Sequence, residues 1–309
     1  MSLYPVVEAG LWGLLVGDAV GVPYEFHDAE NIPPRDEIEM TPQEHFPRSY
    51  AHVRPGTWSD DGAQALCLAD SLVACGGWTA ADFAQRMLAW YRRGKWAVDG
   101  RVFDVGVQTG MALDRLAAGV PAEVSGLAGE RNNGNGSLMR MLPAALLHRG
   151  SPAALVGIAH AQSAVTHRHP RAQTCCALYG LWARHEMAGT PNAWDAAVAE
   201  LRSLHDHASV HRVELEDVIL PAMTLRPGGS GYVVDSLRSA RAACEEKSFA
   251  DIVRAAVAIG HDTDTTACLA GGIAGIRHGK AGIPATWRAQ LLGRDLLDGL
   301  LARIARLGI

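Results

Sequence analysis

The sequence predicts an all-α fold. Apolar residues recur mostly at helical spacing along the 309 residues, and long alternating stretches typical of strands are missing. Several predicted helices also begin with capping signals, such as Thr79 before Ala80 and Ser151 before Pro152. No change of composition marks a linker and no repeat is evident, so we expect residues 1–309 to form one compact domain.

The first predicted helix spans 6–18 and has Pro5 in its first turn. It carries a stripe of small residues, formed by Gly10, Gly13, Gly17 and Gly21. Because each glycine in a helix costs roughly 1 kcal/mol against alanine, the stripe predicts close contact with another helix or with a ligand. Further helices are predicted over 62–75, 79–93, 106–118, 138–149, 152–163, 170–188, 193–204, 213–222, 232–244, 248–258, 265–277 and 284–306.

The longest irregular stretch, 22–58, is rich in proline and acidic residues and leads into an acidic cluster. Long loops in compact domains are often functional. Segment 27–56 is therefore a candidate flap over a site.

The bulk composition limits the function classes. The chain is 48% hydrophobic and 20% charged with a formal net charge of −5, which argues against general nucleic-acid or membrane-surface binding. Its six cysteines show no Cys-x-x-Cys spacing, which favours a reduced interior over a zinc or redox site. The start of the chain lacks the pattern of a signal peptide, and no apolar segment is expected to reach transmembrane length. We therefore expect a cytoplasmic protein.

Two acidic clusters, far apart in the chain, carry most of the functional signal. Asp60 and Asp61 follow Ser59, and Asp262 and Asp264 precede Thr265. Either cluster alone is also typical of a helix N-terminal cap. The segment after Asp264 is too apolar for a solvated helix, however, so the carboxylates should enter the interior. Four buried carboxylates repel one another unless a cation lies among them, and an oxygen-only donor set suits one or two hard divalent cations, Mg²⁺ or Mn²⁺.

A rival interpretation comes from the Asp-x-Asp-x-Thr pattern at 262–266, which matches the nucleophile motif of the haloacid dehalogenase-like phosphatases. That motif needs a buried strand before it and a long α/β domain after it. Only about 45 residues follow Asp264, and they show no strand pattern. The sequence therefore gives this alternative little support.

Two further acids are candidates for chemistry. Glu25 lies between Tyr24 and Phe26, and apolar neighbours raise the pKa of a carboxyl group, which suits a general acid or base. A surface carboxylate is the plainer interpretation. Asp104 lies at the start of a predicted helix, where capping is the alternative.

A glycine-rich turn at 133–140 opens another predicted helix. Successive backbone N–H groups in such a turn form a cradle for phosphate oxygens, although an ordinary loop has the same composition. His167 and His169 lie between two predicted helices, where histidines often cap helix ends or face solvent.

The order of the motifs is more specific than any one of them. They are Gly-Asp-Ala-x-Gly-x-Pro-x-Glu-Phe, Trp-Ser-Asp-Asp, Asp-x-Gly-x-x-Thr, Gly-Asn-Gly-Ser-Leu-Met-Arg, Thr-His-x-x-Pro, Ser-Gly-Tyr-Val-Val-Asp-x-Leu and Gly-x-Asp-Thr-Asp-Thr-x-Ala. Over residues 5–280 this order resembles the ADP-ribosylglycohydrolase family. The resemblance implies a compact orthogonal bundle of helices with two Mg²⁺ or Mn²⁺ ions at the base of a cleft.

The resemblance also implies roles for individual residues. The metal ligands would be Ser59, Asp60, Asp61, Asp262, Asp264 and Thr265, and the catalytic acids Glu25, Asp61 and Asp264. Asp104 would face the guanidinium of a modified arginine. The diphosphate and the adjoining ribose would be held by Asn135, Gly136, Ser137 and Met139, with His167 against the same ligand and Tyr232 stacked on adenine. The resemblance assigns no role to His261.

The function implied is metal-dependent hydrolysis of the glycosidic bond at the anomeric carbon of ADP-ribose, with ADP-ribosylarginine on a protein as the substrate. The alternatives are an O-linked substrate, such as ADP-ribosylserine or O-acetyl-ADP-ribose, and a catalytically silent binding or structural relative. A monomer without membrane or nucleic-acid partners is expected.

Overall fold

Two long buried helices, α1 (Tyr4–Gly21) and α14 (Thr263–Gly282), cross in close contact in the computed structural model, which describes residues 3–308. Glycines make this approach possible. A Cβ atom on Gly17 would lie 2.0 Å from the carbonyl oxygen of Ala267, and one on Gly21 would lie 2.4 Å from Cα of Asp264. The glycine stripe is thus confirmed as a helix-packing surface, and it places the start of α14 beside the end of α1.

The remaining helices surround this pair. They are α2 (Asp60–Cys75), α3 (Ala80–Arg93), α4 (Val107–Ala117), α5 (Ala122–Ser125), α6 (Leu142–Leu147), α7 (Pro152–Ala164), α8 (Pro170–Met187), α9 (Ala193–Leu204), α10 (Val210–Val213), α11 (Leu220–Ala222), α12 (Val233–Ala243), α13 (Phe249–Val257), α15 (Ala285–Gln290) and α16 (Arg294–Ala305). A π-helical segment, Glu214–Ile219, joins α10 to α11. Buried apolar side chains from α1 to α16 form one continuous cluster.

The all-α prediction is confirmed. Within residues 3–308 the only extended pairings are three isolated β-bridges, Asp28 with Gly260, Leu127 with His167 and Gly134 with Tyr232, and no strand forms. All three bridges join loops, and two of them involve residues or neighbours of the predicted site.

Several predicted boundaries were wrong. The helix expected over 138–149 begins only at Leu142, because residues 138–141 form a turn. The helix expected over 284–306 is two helices, interrupted at Gly293, whose φ of +66° lies in the left-handed region. The helix expected over 213–222 begins at Val210 and contains the π-helical segment. Conversely, α2 and α14 begin two residues earlier than expected, so that the acidic clusters form their first turns.

The expectation that no apolar segment reaches transmembrane length was also wrong. Residues Tyr4–Tyr24 are long and apolar enough to cross a membrane by length and composition alone. In the structure, 83% of the most apolar 18-residue window of this segment is buried inside the protein. The segment therefore has the burial of a core helix.

The candidate flap, 27–56, is fixed to the core near its middle. Ile38 and Met40 are fully buried, and Glu39 accepts a hydrogen bond of 2.5 Å from Nε1 of Trp287. Further along the segment, Ser49 Oγ donates to the carbonyl oxygen of Glu25 at 2.5 Å and Tyr50 approaches Asp104. The flap thus contacts the two further candidate acids, Glu25 and Asp104, through residues 49 and 50.

The contact between α1 and α14 gives a direct test of the packing. We expect Gly17→Ala to lower the free energy of unfolding by about 1–3 kcal/mol, because the new methyl group meets backbone atoms that cannot move aside alone. Gly157→Ala is the matched control, since no atom of residues 3–308 outside its own stretch of helix lies within 4 Å of a Cβ at that position, and alanine favours helix. Chemical denaturation measures both. Equal stability of the two variants would contradict the packing.

Candidate active site

The two acidic clusters meet at the N-terminal ends of α2 and α14. Ser59 caps α2, since its Oγ accepts a hydrogen bond from N of Asp61 at 3.3 Å. The capping alternative therefore holds for Ser59. It does not hold for Asp262, whose side chain makes no capping hydrogen bond to α14. The carboxylates of Asp60, Asp61 and Asp264 are instead buried where the two helices begin.

A cleft with a volume of about 260 Å³ opens over these helix ends. Most of the sequence-predicted site residues line it, namely Glu25, Asp60, Asp61, Asp104, Asn135, Gly136, Met139, His167, Asp262 and Thr265. Asp264 is fully buried, and one carboxyl oxygen each of Asp264, Glu25 and Asp104 lie within 4.8 Å of one another. Oγ of Ser59 lies 3.4 Å from Oδ2 of Asp61. Residues some two hundred positions apart are thus brought together.

Two predicted substrate-binding side chains lie outside the lining of the cleft. Ser137 is fully buried, and its Oγ is 2.8 Å from Oγ of Ser163, so its side chain stabilises the turn from within. Tyr232 is 38% exposed and lies at the edge of the loop that pairs with the glycine-rich turn. Backbone hydrogen bonds between Asn135 and Gly231, and between Val233 and Asn133, hold these two loops side by side.

Some carboxylate oxygens of the site accept hydrogen bonds from the described residues, and others do not. Oδ2 of Asp60 accepts from Nε2 of Gln64 at 2.7 Å, and Oδ2 of Asp262 accepts from Nδ2 of Asn135 at 2.7 Å. By contrast, the buried Oδ1 of Asp61, Oδ2 of Asp264 and Oε2 of Glu25 accept no hydrogen bond from residues 3–308. Buried oxygens without partners are rare, and an all-oxygen set of this kind fits hard divalent cations.

Burial and mutual repulsion shape the charge of the cluster. Burial, followed by the neighbouring carboxylates, raises the pKa of Asp60, Asp61 and Asp264 well above its ordinary value. Burial, then Asp104 and Asp262, raises the pKa of Glu25 to about 11. Burial also raises the pKa of Asp104 to about 6, although a hydrogen bond of 2.7 Å from Tyr50 Oη opposes the rise. The cluster can therefore carry its full negative charge only when a positive group compensates it.

Asp18 supports the site, although no role there was predicted for it. Its Oδ1 accepts from N of Ser59 at 2.9 Å, and its Oδ2 accepts from N of Gly62 at 2.7 Å. The side chain is fully buried, and burial raises its pKa to about 7. Asp18 thus fixes the start of α2 against the end of α1. The only signal for it in the sequence is its place in the first motif of the ordered set.

Three non-glycine residues beside the cleft adopt the left-handed backbone region, namely Phe26 (φ 62°), Asp104 (φ 57°) and His261 (φ 60°). N of Phe26 donates to the carbonyl oxygen of His261 at 2.6 Å, and N of His261 donates to that of His27 at 2.7 Å. The backbone of His261 therefore fixes the loop that carries Glu25. Its side chain is half exposed and lies 3.5 Å from the carboxylate of Asp28.

Comparison with known proteins agrees with this arrangement. The family model of ADP-ribosylglycohydrolase matches residues 4–308. The chain is 32% identical to the ADP-ribosylarginine hydrolase Tri1 of Pseudomonas putida (strain GB-1), over 94% of this chain and 77% of that protein. It is 29% identical to the ADP-ribosyl-dinitrogen reductase glycohydrolase of Rhodospirillum rubrum, over 94% of this chain and 93% of that protein.

A solved structure of an ADP-ribosylglycohydrolase-related protein complex superposes with a TM-score of 0.78 at 29% identity, covering 100% of this chain and 99% of that one. The resemblance seen in the ordered motifs is thereby confirmed. The chain belongs to the ADP-ribosylglycohydrolase family and is an enzyme that hydrolyses glycosidic linkages of ADP-ribose.

Proposed function

We propose that this enzyme removes ADP-ribose from modified arginine side chains of proteins, with the help of two divalent cations, Mg²⁺ or Mn²⁺. The observation that carries the proposal is the position of Asp104, a carboxylate that lines the cleft outside the two acidic segments and accepts a hydrogen bond from Tyr50 at 2.7 Å. A carboxylate there suits a guanidinium leaving group through charge-assisted hydrogen bonds. A serine hydroxyl offers no charge for it to recognise.

The residues present suit the proposed cations. Carboxylates would come from Asp60, Asp61, Asp262 and Asp264, and hydroxyl oxygens from Ser59 and Thr265. Hydrogen bonds from Gln64 and Asn135 already orient two of these carboxylates. Bound divalent cations would orient the ribose hydroxyls and lower the pKa of the attacking water.

The chain itself supplies proton transfer and positioning. Cleavage at the anomeric carbon builds oxocarbenium character, so the leaving nitrogen must take up a proton. Glu25 suits that role, because burial and its acidic neighbours raise its pKa to about 11 and keep it protonated at neutral pH. Bound cations would lower this pKa towards neutrality, where a general acid works best. Asp61 and Asp264 each keep one buried oxygen free for a cation or for the proton of the attacking water.

The proposal also includes the cellular compartment, the substrate and the oligomeric state of the enzyme. The six cysteines are free, and five of them are buried, which suits a reducing compartment such as the cytoplasm. We take the substrate to be an ADP-ribosylated protein, met by a monomeric, single-domain enzyme without membrane or nucleic-acid partners.

The metal assignment predicts loss of turnover without loss of fold. We expect Asp61→Ala and Asp264→Ala each to reduce release of ADP-ribose to the background of the assay, because each removes a buried oxygen that accepts no hydrogen bond from the described part of the chain. Helical content by circular dichroism should remain. Asp217→Ala, at an exposed position on the π-helical segment, is the control and should keep full activity. Full activity of either site variant, or after thorough chelation, would contradict the assignment.

The role of Asp104 predicts a change of linkage preference. We expect Asp104→Asn to lower kcat/KM for ADP-ribosylarginine by about 10–100-fold, the value of a hydrogen bond to a charged group. Release from ADP-ribosylserine peptide or O-acetyl-ADP-ribose should fall much less. Tyr50→Phe removes only the hydrogen bond to Asp104 and should give a smaller loss of the same kind. Equal losses on all three substrates would remove the argument for arginine.

The raised pKa values predict that cation binding depends on pH. Since burial raises the pKa of Asp18 to about 7 and that of Asp104 to about 6, protons occupy more of the cluster as the pH falls through this range. Mn²⁺ should therefore bind more weakly at pH 6 than at pH 8, and binding near pH 7 should release protons. Calorimetric titration in buffers of different ionisation enthalpy measures both effects. Affinity that is independent of pH, without proton release, would contradict this account.

A further inference from the structure

Arg140 is a fully buried cation that takes no part in the proposed reaction. It is the last residue of the glycine-rich turn at 133–140, and within residues 3–308 it forms no ion pair with a carboxylate. All five of its N–H groups donate to neutral oxygens: Nε to Gln162 Oε1 (3.0 Å), Nη1 to Gln64 Oε1 (2.8 Å) and Gly136 O (3.1 Å), and Nη2 to Gln162 O (2.9 Å) and Thr166 Oγ1 (2.8 Å). Burying an unpaired charge is costly, so these contacts call for a functional reason.

Two chains of hydrogen bonds, which we call branches, start at Arg140. The first runs through Gln64 to Asp60, a predicted metal ligand. Because Oε1 of Gln64 accepts from Arg140, the amide is oriented with Nε2 towards Asp60, and Nε2 donates to Oδ2 of Asp60 at 2.7 Å. A flipped amide would place the donor Nε2 against the donors of the guanidinium, and the acceptor Oε1 against the acceptors of the carboxylate. Neither pair can form a hydrogen bond. Arg140 thus determines that one oxygen of Asp60 is occupied while the other remains available in the cleft.

The second branch leads to His167. Oγ1 of Thr166 accepts from Arg140 and lies 2.8 Å from Nδ1 of His167. Thr166 is fully buried, so its hydroxyl proton needs an acceptor, and Nδ1 is the one that the described residues offer. The proton of the neutral ring then lies on Nε2. This nitrogen faces the glycine-rich turn, since a Cβ on Gly134 would lie 3.3 Å from it.

We propose that Arg140 is a positioning residue that determines which side-chain atoms in the cleft donate hydrogen bonds and which accept them. Through Gln64 it leaves Asp60 one oxygen for a cation, and through Thr166 it makes His167 present Nε2–H to an acceptor oxygen of the substrate. The second part rests on the proposed function, because the acceptors at this turn would be diphosphate or ribose oxygens of ADP-ribose.

The state of the histidine ring agrees with a neutral donor. Burial, followed by the charge of Arg140, lowers the pKa of His167 to about 3. The ring therefore stays neutral at physiological pH and does not add a second positive charge beside Arg140. A Cβ on Gly136 would lie 3.0 Å from Cε1 of His167, a tight contact, so the glycine helps the ring to pack closely against the turn.

The first test is the protonation of His167 in the Mg²⁺-loaded protein, read from the imidazole ¹⁵N shifts and assigned by comparison with His167→Asn. We expect a neutral ring with the proton on Nε2 and a hydrogen-bonded Nδ1. A proton on Nδ1, or an imidazolium, overturns the proposal. The ¹⁵N shifts do not depend on activity, so they test the role of Arg140 even if ADP-ribose fails to bind. Failure of ADP-ribose to bind would count against the proposed function instead.

The two branches are then separated by variants. Thr166→Val should shift the His167 Nδ1 signal to that of a nitrogen without a hydrogen bond and raise the Kd for ADP-ribose about tenfold, while Mn²⁺ affinity is kept. Gln64→Met should weaken Mn²⁺ binding by about 10-fold or more and leave the His167 signals in place. Thr174→Val is the control for loss of a buried hydroxyl, because Thr174 donates only to the carbonyl oxygen of Pro170 in α8.

Arg140→Lys tests both branches at once, since lysine keeps the charge but cannot donate all five hydrogen bonds. We expect it to alter Mn²⁺ affinity and the His167 signal together. A folded Arg140→Lys variant that leaves both unchanged overturns the proposal. If that variant does not fold, unchanged Mn²⁺ affinity in Gln64→Met or an unchanged Nδ1 signal in Thr166→Val has the same consequence.

Discussion

The repulsion among buried carboxylates is the constraint on which the site depends. Two like charges about 4 Å apart repel by about 4 kcal/mol even in a moderately polar protein environment, and this cleft gathers several acids whose pKa values burial and repulsion raise. Within residues 3–308, no lysine or arginine forms an ion pair with them. The protein stabilises them with neutral donors instead, such as the amides of Gln64 and Asn135 and the backbone N–H groups at residues 59 and 62. Neutral donors orient the oxygens and leave the negative charge uncompensated, as the proposed binding of divalent cations requires.

The helix pair α1 and α14 makes this concentration of charge possible. Because glycines bring the two backbones into contact, the end of α1 and the start of α14 meet without intervening side chains. Asp18 then fixes the start of α2 at the same point. The loop with Glu25 is held by the backbone of His261, which directly precedes Asp262. The packing of α1 against α14 thus sets the distances within the cluster.

The sequence predicted the parts of this site that depend on local pattern. Asp60, Asp61 and Asp262 of the two clusters line one cleft together with Glu25, Asp104 and part of the glycine-rich turn, because ordered motifs fix residue types at fixed spacing. Asp264 is fully buried. The sequence could not predict that Ser137 points into the core, since the direction of a side chain in a turn depends on long-range packing. Asp18 and Arg140 were missed as positioning groups for a similar reason, because their partners come from other helices. The break at Gly293 also depends on a tertiary contact, as Leu292 N donates to the carbonyl oxygen of Gly56.

The proposed site requires the two acidic clusters to hold divalent cations together. A crystal structure of the protein grown with Mn²⁺, with data collected at the manganese absorption edge, would show such cations. We expect two anomalous peaks within bonding distance of oxygens from both clusters, with Asp61 and Asp264 contributing the buried oxygens that accept no hydrogen bond from residues 3–308. Anomalous peaks confined to other surfaces of the protein, or no peak in a well-ordered cleft, would contradict the metal assignment.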